Sequence, residues 1–313
     1  MYRRLIALAA LSLASLAASG QEQDISKVEV KVTPVASGLY LLEGAGGNIA
    51  ASIGADGSVL VDDEFAPLAD KITAALASIG ATTKPVRFIF LTHYHFDHIG
   101  GNVPFANSGA TIIGHENLRS TLLADGFAGN GGSMHFAHKA AEASALPILT
   151  FDRELTLHLN GEDIRAEHFA GAHTSGDSIV FFNHAHAVHM GDIFVRYGFP
   201  FIDVENGGTV QGMIGACEAV LAKLPADAKV IPGHGELASI EDLRAYLRLL
   251  KDTSAAVSQA LKRGRSLEQM KQDNLLGAWS EKYTGKFVNT DAFLESLYYS
   301  LAKHARAPTS TVH

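Results

Sequence analysis

The chain has 313 residues, 47% hydrophobic and 19% charged, and carries a formal charge of −8 at pH 7. That composition excludes a disordered chain, and an acidic balance without a basic tract argues against nucleic acid or an anionic lipid surface as partner. The one cysteine, Cys217, rules out an internal disulfide, so stability must come from the core, helped by any bound metal.

Arg3 and Arg4 precede an apolar stretch, Leu5 to Ala18, that is too short for a comfortable membrane span and gives way to small residues through Gly20. This pattern predicts a secretory signal over residues 1–20, cleaved before Gln21, and hence a periplasmic or secreted protein. No later run reaches the roughly 18 apolar residues of a spanning helix, so no membrane anchor is expected in the mature chain.

Strand-like runs at Gly38 to Leu42, Ile49 to Ile53 and Val59 to Asp62, separated by short Gly and Asp turns, predict an antiparallel meander. Pro67 to Ile79 places Leu68, Ile72, Ala75, Leu76 and Ile79 at the spacing of a helix with one buried face, stopped by Gly80. Val86 to Leu91 has the length and β-branched and aromatic content of a buried strand, with a short strand at Thr111 to Ile113 and a helix from Glu116 to Leu123 beyond it. Residues 124–146 break the rhythm. Gly126, Gly129, Gly131 and Gly132 predict a lid or a variable surface loop, with Phe127, Met134, His135, Phe136 and His138 exposed.

Strands resume at Glu154 to Leu159 and Ile164 to Phe169 around the Asn160-Gly161 hairpin signal, and a second hairpin joins Ser178–Phe182 to Ala187–Met190. Helical patterns cover Thr209 to Leu224, 240–262, 266–277 and 290–304, with a strand at Val230-Ile231. Two halves, each a meander followed by strand–helix alternation, predict two sheets packed together and clad by helices.

His93-Tyr94-His95-Phe96-Asp97-His98 puts three imidazoles and a carboxylate at the end of the 86–91 strand, just before Gly100-Gly101. Neutral imidazole and carboxylate are the ligands that zinc and related divalent metals favour. His93 and His95 can reach one metal, Asp97 and His98 a second. Further candidates sit at other strand-to-loop junctions: His173 after Gly171-Ala172, Asp192 after Gly191, and His234 between Gly233 and Gly235. A small residue beside each ligand lets the backbone approach a crowded site. Asp62 and Asp63, ending a strand, read either as supports for a ligand imidazole or as turn residues.

Together these motifs, spread over about residues 33–240, resemble the metallo-β-lactamase superfamily. The resemblance implies an α/β (α+β) fold, a four-layer αββα sandwich of two mixed β-sheets flanked by helices, with two zinc ions per chain at one sheet edge. It implies that His93, His95 and His173 hold the first metal, that Asp97, His98 and His234 hold the second, and that Asp192 bridges them. The chain then divides into the signal at 1–20, a hydrolase domain at 21–240, and a C-terminal helical extension at 241–313 packed on it.

Two metals can share a hydroxide of lowered pKa and aim it at a carbonyl, and Asp97 is the candidate catalytic residue that orients this nucleophile and relays its proton. An Asp at position 192 is similar to thioesterases of the glyoxalase II type and to lactonases, whereas true β-lactamases usually carry Cys or Ser there. The leading expectation is an exported dinuclear zinc hydrolase of an ester-like bond: a lactone, thioester or ester. Cleavage of β-lactams comes next, since His98 beside Asp97 matches one zinc β-lactamase subclass. A metal-dependent redox or sulfur-handling protein on the same fold stands third, disfavoured because the diiron reductases carry Glu where this chain has His95. The expected partner is a small-molecule substrate, contacted by candidates Tyr197, Phe199, His115, His135 and His138; the oligomeric state is not legible.

Overall fold

A computed structural model describes residues 24–81 and 85–306; the signal assigned to residues 1–20 lies outside them. The first sheet begins with an antiparallel meander of β1 (Lys31–Ala36), β2 (Leu39–Glu43), β3 (Ile49–Gly54) and β4 (Gly57–Val61). Parallel strands extend it: β5 (Val86–Phe90), β6 (Thr111–His115) and, after a separate hairpin of β7 (Gly126–Gly129) and β8 (His135–His138), β9 (Leu149–Phe151). The parallel register sets Val61 opposite Phe90 and Phe90 opposite Ile113, so the segments after β4, β5 and β6 leave from one edge. Helices α1 (Ala69–Ser78), α2 (Phe96–Ile99), α3 (Asn102–Asn107) and α4 (Glu116–Leu122) follow those strands. α1 buries Ala69, Ile72 and Leu76, the face its spacing predicts, and Gly80 ends that segment at φ +106.

The second sheet runs β10 (Glu154–Leu159), β11 (Glu162–His168), β12 (Ser178–Phe182) and β13 (Ala187–His189), all antiparallel, then β14 (Lys229–Ile231) parallel to β13 and β15 (Ala238–Ser239) at its edge. The β10–β11 turn has φ 55 at Asn160 and 72 at Gly161, positive at both central residues, which is why Asn-Gly is favoured there. Helices α5 (Val210–Lys223), α6 (Ile240–Lys262), α7 (Leu267–Gln272), α8 (Gly277–Tyr283) and α9 (Thr290–Arg306) complete the described residues.

Alternate residues of both sheets meet between them: Leu39, Leu41, Val59 and Val61 against Ile164, Val180, Phe182 and Ile231. The outer face of the first sheet packs under Leu68, Ile72 and Leu118, and the outer face of the second under α5, α6 and α9. This is the four-layer αββα sandwich that the sequence predicts. Residues of α6 and α9, among them Leu243, Leu250, Phe293 and Leu297, lie in one continuous core with Val188, Val210 and Cys217. Burying each such side chain contributes about 1.5–3 kcal/mol.

The structure departs from the sequence reading at several elements. β1, β9 and β15 are edge strands with few fully buried residues, so their pattern is weak. Residues 126–138 form a hairpin rather than an irregular loop. The helix read at 266–277 is broken at Asn274, whose φ of 49 reverses the chain between α7 and α8. α2 and α3 are too short to give a periodic signal. No helix among the described residues is long and apolar enough to cross a membrane.

Candidate metal centre

The shared sheet edge gathers the ligand-type side chains. Asp62, at the end of β4, accepts hydrogen bonds from Thr92 N and Thr92 Oγ1, each at 2.7 Å, and pins the start of the 92–98 loop. Ser178 N donates to Thr92 O at 2.7 Å, and Asn48 Nδ2 donates to the carbonyls of Pro232 and Gly235, so both halves of the sandwich are tied at this edge. Two close approaches demand glycine. A Cβ on Gly47 would fall 2.2 Å from the His98 ring, and one on Gly233 would fall 2.0 Å from Asp192 Oδ1.

Each buried imidazole is fixed from behind by an acceptor, which decides which nitrogen is left bare. Thr92 Oγ1 gives its own proton to Asp62 and so accepts from His93 Nδ1 at 2.9 Å, leaving His93 Nε2 buried with no hydrogen-bond partner among the described residues. His98 Nδ1 donates to Asp62 Oδ2 at 2.7 Å, and His173 Nδ1 donates to Phe201 O at 2.9 Å. His95 is reversed. Its Nε2 faces Asp203 Oδ2 at 3.2 Å, which frees Nδ1.

The bare atoms converge. His93, His95 and His173 bring ligand atoms within 4.8 Å of one another, as do Asp97, His98 and His234. His95 Nδ1 lies 3.0 Å from His173 Nε2, and His98 Nε2 lies 3.2 Å from His234 Nε2. Asp192 stands between the groups, with Oδ1 3.2 Å from His98 Nε2 and 3.5 Å from His234 Nε2, and Oδ2 3.9 Å from His173 Nε2. Asp97 Oδ2 is 3.2 Å from His234 Nε2. Nitrogen and oxygen atoms crowded at these separations, with the buried His93 Nε2 lacking a hydrogen-bond partner among the described residues, fit cations held by nitrogen and oxygen donors.

The electrostatics divide the two triads. Burial, then the charge of neighbouring imidazoles, pushes His93 well below the ordinary histidine range and His173 down to about 4, so both are neutral and ready to ligate. Burial also acts on His98 and His234, but the carboxylates of Asp192 and Asp97 outweigh it, raising His98 strongly and His234 to about 9. Asp97 resists its own burial because His98 and His234 hold it down to about 2.

The family model described as metallo-beta-lactamase superfamily matches residues 51–253. The chain belongs to the metallo-β-lactamase superfamily. Among solved structures it is similar to a metallo-beta-lactamase from Pontibacter korlensis, at 18% identity and a TM-score of 0.57, over 71% of this chain and 99% of that one. It is similar also to the DIM-1 metallo-beta-lactamase, at 16% identity and a TM-score of 0.57, over 72% and 99% of the two chains. Those likenesses establish the shared fold. No curated protein matches the sequence.

Beside the metal centre of this superfamily member lies a cleft of about 750 Å³, lined by Asp97, Asp192, His95 and His234 and by many aromatic rings. Tyr197 and His138 line it. His115 does not: it is buried, accepts Asn117 N as a helix cap, faces Asp152 O at 2.8 Å and stacks on His168 at 3.5 Å. Phe199 does not either; its ring turns into the core and stacks on Phe293 at 4.6 Å. His135 faces away, 3.0 Å from Glu205 and stacked on Phe127. Asp62 proves to be a support for His98, while Asp63 accepts Gly101 N at 2.8 Å.

Sequence reasoning missed Asp203. It is fully buried, accepts from Gly129 N at 2.9 Å through Oδ1, and takes the Tyr94 hydroxyl and faces His95 through Oδ2. A lone Asp in a loop eleven residues past Asp192 carries no local signal. Phe65, Phe201 and Phe287 were missed as cleft residues for the same reason, and Phe96 because the motif around it was read for its ligands alone.

Proposed function

We propose that the protein is an exported, two-zinc hydrolase of an ester-like bond: a lactone, thioester or ester. The observation that carries this reading is Asp192, whose two carboxylate oxygens face histidines of both triads. In this assignment His93, His95 and His173 would hold one zinc, Asp97, His98 and His234 would hold the other, and Asp192 would serve both. A bound pair would supply a water activated near neutral pH and a Lewis acid for the carbonyl oxygen.

The chain's own groups do the rest. Asp97 lines the cleft as an ionised acceptor, where it orients the attacking water and carries its proton to the leaving oxygen or sulfur. Tyr197 sits above His234 at 5.6 Å between ring centroids and closes one side of the cleft, limiting water around the reacting carbonyl. The N-terminal pattern of Arg3, Arg4 and the apolar run to Ala18 supports export.

Cleavage of β-lactams is the second reading. It is favoured by the two solved metallo-beta-lactamases that share the fold and by His98 beside Asp97. A panel of lactones, thioesters, esters and nitrocefin on the zinc-loaded chain tests the order. The expected result is a higher kcat/KM on a member of the ester-like series than on nitrocefin. Nitrocefin ahead of every other substrate reverses it. A coloured, redox-active metal in place of two zinc ions would move the protein to redox or sulfur chemistry.

A further inference from the structure

The geometry points to a substrate whose acyl arm is bulky, uncharged and apolar, gripped by aromatic rings that the metal motif does not supply. This rests on the proposed hydrolysis. Three segments from separate parts of the fold build one wall of the cleft. Phe136 comes from the β7–β8 hairpin, Tyr197 and Phe201 from the loop after Asp192, and Phe287 from the link between α8 and α9. Phe136 and Phe287 lie 6.0 Å apart at 30° between ring planes, and each stands within 5.9–6.0 Å of Phe201. Phe65 and Phe96, which also line the cleft, pair at 5.6 Å.

These rings are not spare core. Phe96 is 69% exposed, Phe136 40% and Phe287 53%, and all three line the same opening. Exposing three large aromatics around one cleft is costly in water, and it is offset when a ligand's apolar surface covers them. The volume of about 750 Å³ far exceeds what a short acyl group fills. Two lysines line the cleft: Lys139 is paired with Asp125 at 2.6 Å, and Lys286 stands next to Phe287. The ligand-type side chains lie at the same cleft, so an apolar arm along the rings presents its carbonyl to them. In the reaction, water adds its oxygen to the acyl carbon and the bond to the alcohol oxygen or thiol sulfur breaks. The products are the carboxylic acid and the alcohol or thiol, and no redox partner is needed.

The test uses the full zinc-loaded chain and p-nitrophenyl esters from acetate to decanoate, with phenylacetate as an aryl arm. Calorimetric binding of the corresponding carboxylates reads the cleft without turnover. The expected result is a rise of about tenfold or more in kcat/KM from the shortest to the longer arms, with carboxylate affinity rising in parallel. Phe136→Ala and Phe287→Ala should flatten both slopes; these rings are partly exposed, so truncation does not endanger the fold. Phe127→Ala, on the same hairpin but facing away from the cleft, should leave the slopes as they are. Flat slopes in the unaltered chain, or slopes indifferent to Phe136 and Phe287, overturn the inference. Chain-length-dependent binding without hydrolysis of any ester, lactone or thioester overturns the proposed reaction instead and leaves the apolar cleft standing.

Discussion

Asp203 holds the ring of His95 from behind, with Oδ2 3.2 Å from Nε2, while its other oxygen accepts the backbone N–H of Gly129 in the hairpin. One buried carboxylate therefore fixes a candidate metal ligand and one strand of the hairpin that lines the cleft. Asn206 reinforces the arrangement by donating to the Tyr94 hydroxyl and to Phe127 O. Asp203→Asn keeps the size of the side chain but places an N–H against His95 in place of an acceptor, so Nδ1 is no longer preferentially the bare nitrogen. The expected outcome is a loss of about 10–100-fold in affinity for the metal at the tri-histidine group, read by competition with a chromophoric chelator. Unchanged affinity would mean that His95 is positioned by packing alone.

The contrast between the triads predicts how metal uptake depends on pH. His93 and His173 are neutral before metal arrives, so no proton has to leave them. His234, raised to about 9, and His98, also raised, carry protons at neutral pH that a metal must displace. Binding at the tri-histidine group should therefore depend on pH less steeply than binding at the second group, which should tighten by up to about tenfold per pH unit for each proton displaced. In the chelated protein the same raised value acts on stability with the opposite sign. The His234 contribution is fully present below its ordinary value of 6.5 and is lost as pH rises through about 9. Calorimetry in buffers of different ionisation enthalpy counts the protons released. Equal release at both equivalents contradicts the division.

The cluster at 93–98 was legible because its residues are consecutive and follow a strongly apolar strand; Asp192 and His234 were legible because crowding imposes glycine at 191, 233 and 235. What fixes the imidazoles was only half legible. Asp62 sits beside a motif strand, but Asp203 reaches His95 purely through tertiary contact. Nearness in sequence misled at Phe199: seven residues past Asp192, its ring packs on Phe293 instead of facing the cleft. His115 ends β6 at the correct sheet edge, yet its ring is consumed in capping α4 and meeting Asp152. The glycines of 124–146 masked a hairpin because its paired strands span only four residues each.

Asp97 separates two roles that share one side chain. Its Oδ2 lies 3.2 Å from His234 Nε2 and 3.9 Å from His98 Nε2, close enough to ligate, and it also lines the cleft. Asp97→Asn retains one oxygen that can reach a metal and loses the ability to carry a proton at neutral pH. If proton transfer dominates, kcat falls by about 100–10,000-fold while the chain still holds two metals by elemental analysis. Loss of one metal together with activity would assign Asp97 to ligation.

The final prediction concerns the segment after residue 240. Phe293 is fully buried, stacks on Phe199 at 17° between ring planes, and shares a core with Val188, Val210 and Leu250. Phe199 in turn lies in the loop after Asp192, and Phe199 N donates to Tyr283 O at 2.7 Å. Removing the Phe293 ring therefore opens a cavity beneath that loop. Phe293→Ala should lower the unfolding free energy by about 3–5 kcal/mol in chemical denaturation. Excess zinc should recover part of the loss, because a metal that binds only the folded chain stabilises it by mass action. If α9 were merely an appendage resting on the sandwich, the substitution would shift the midpoint by far less and the rest of the chain would unfold as before.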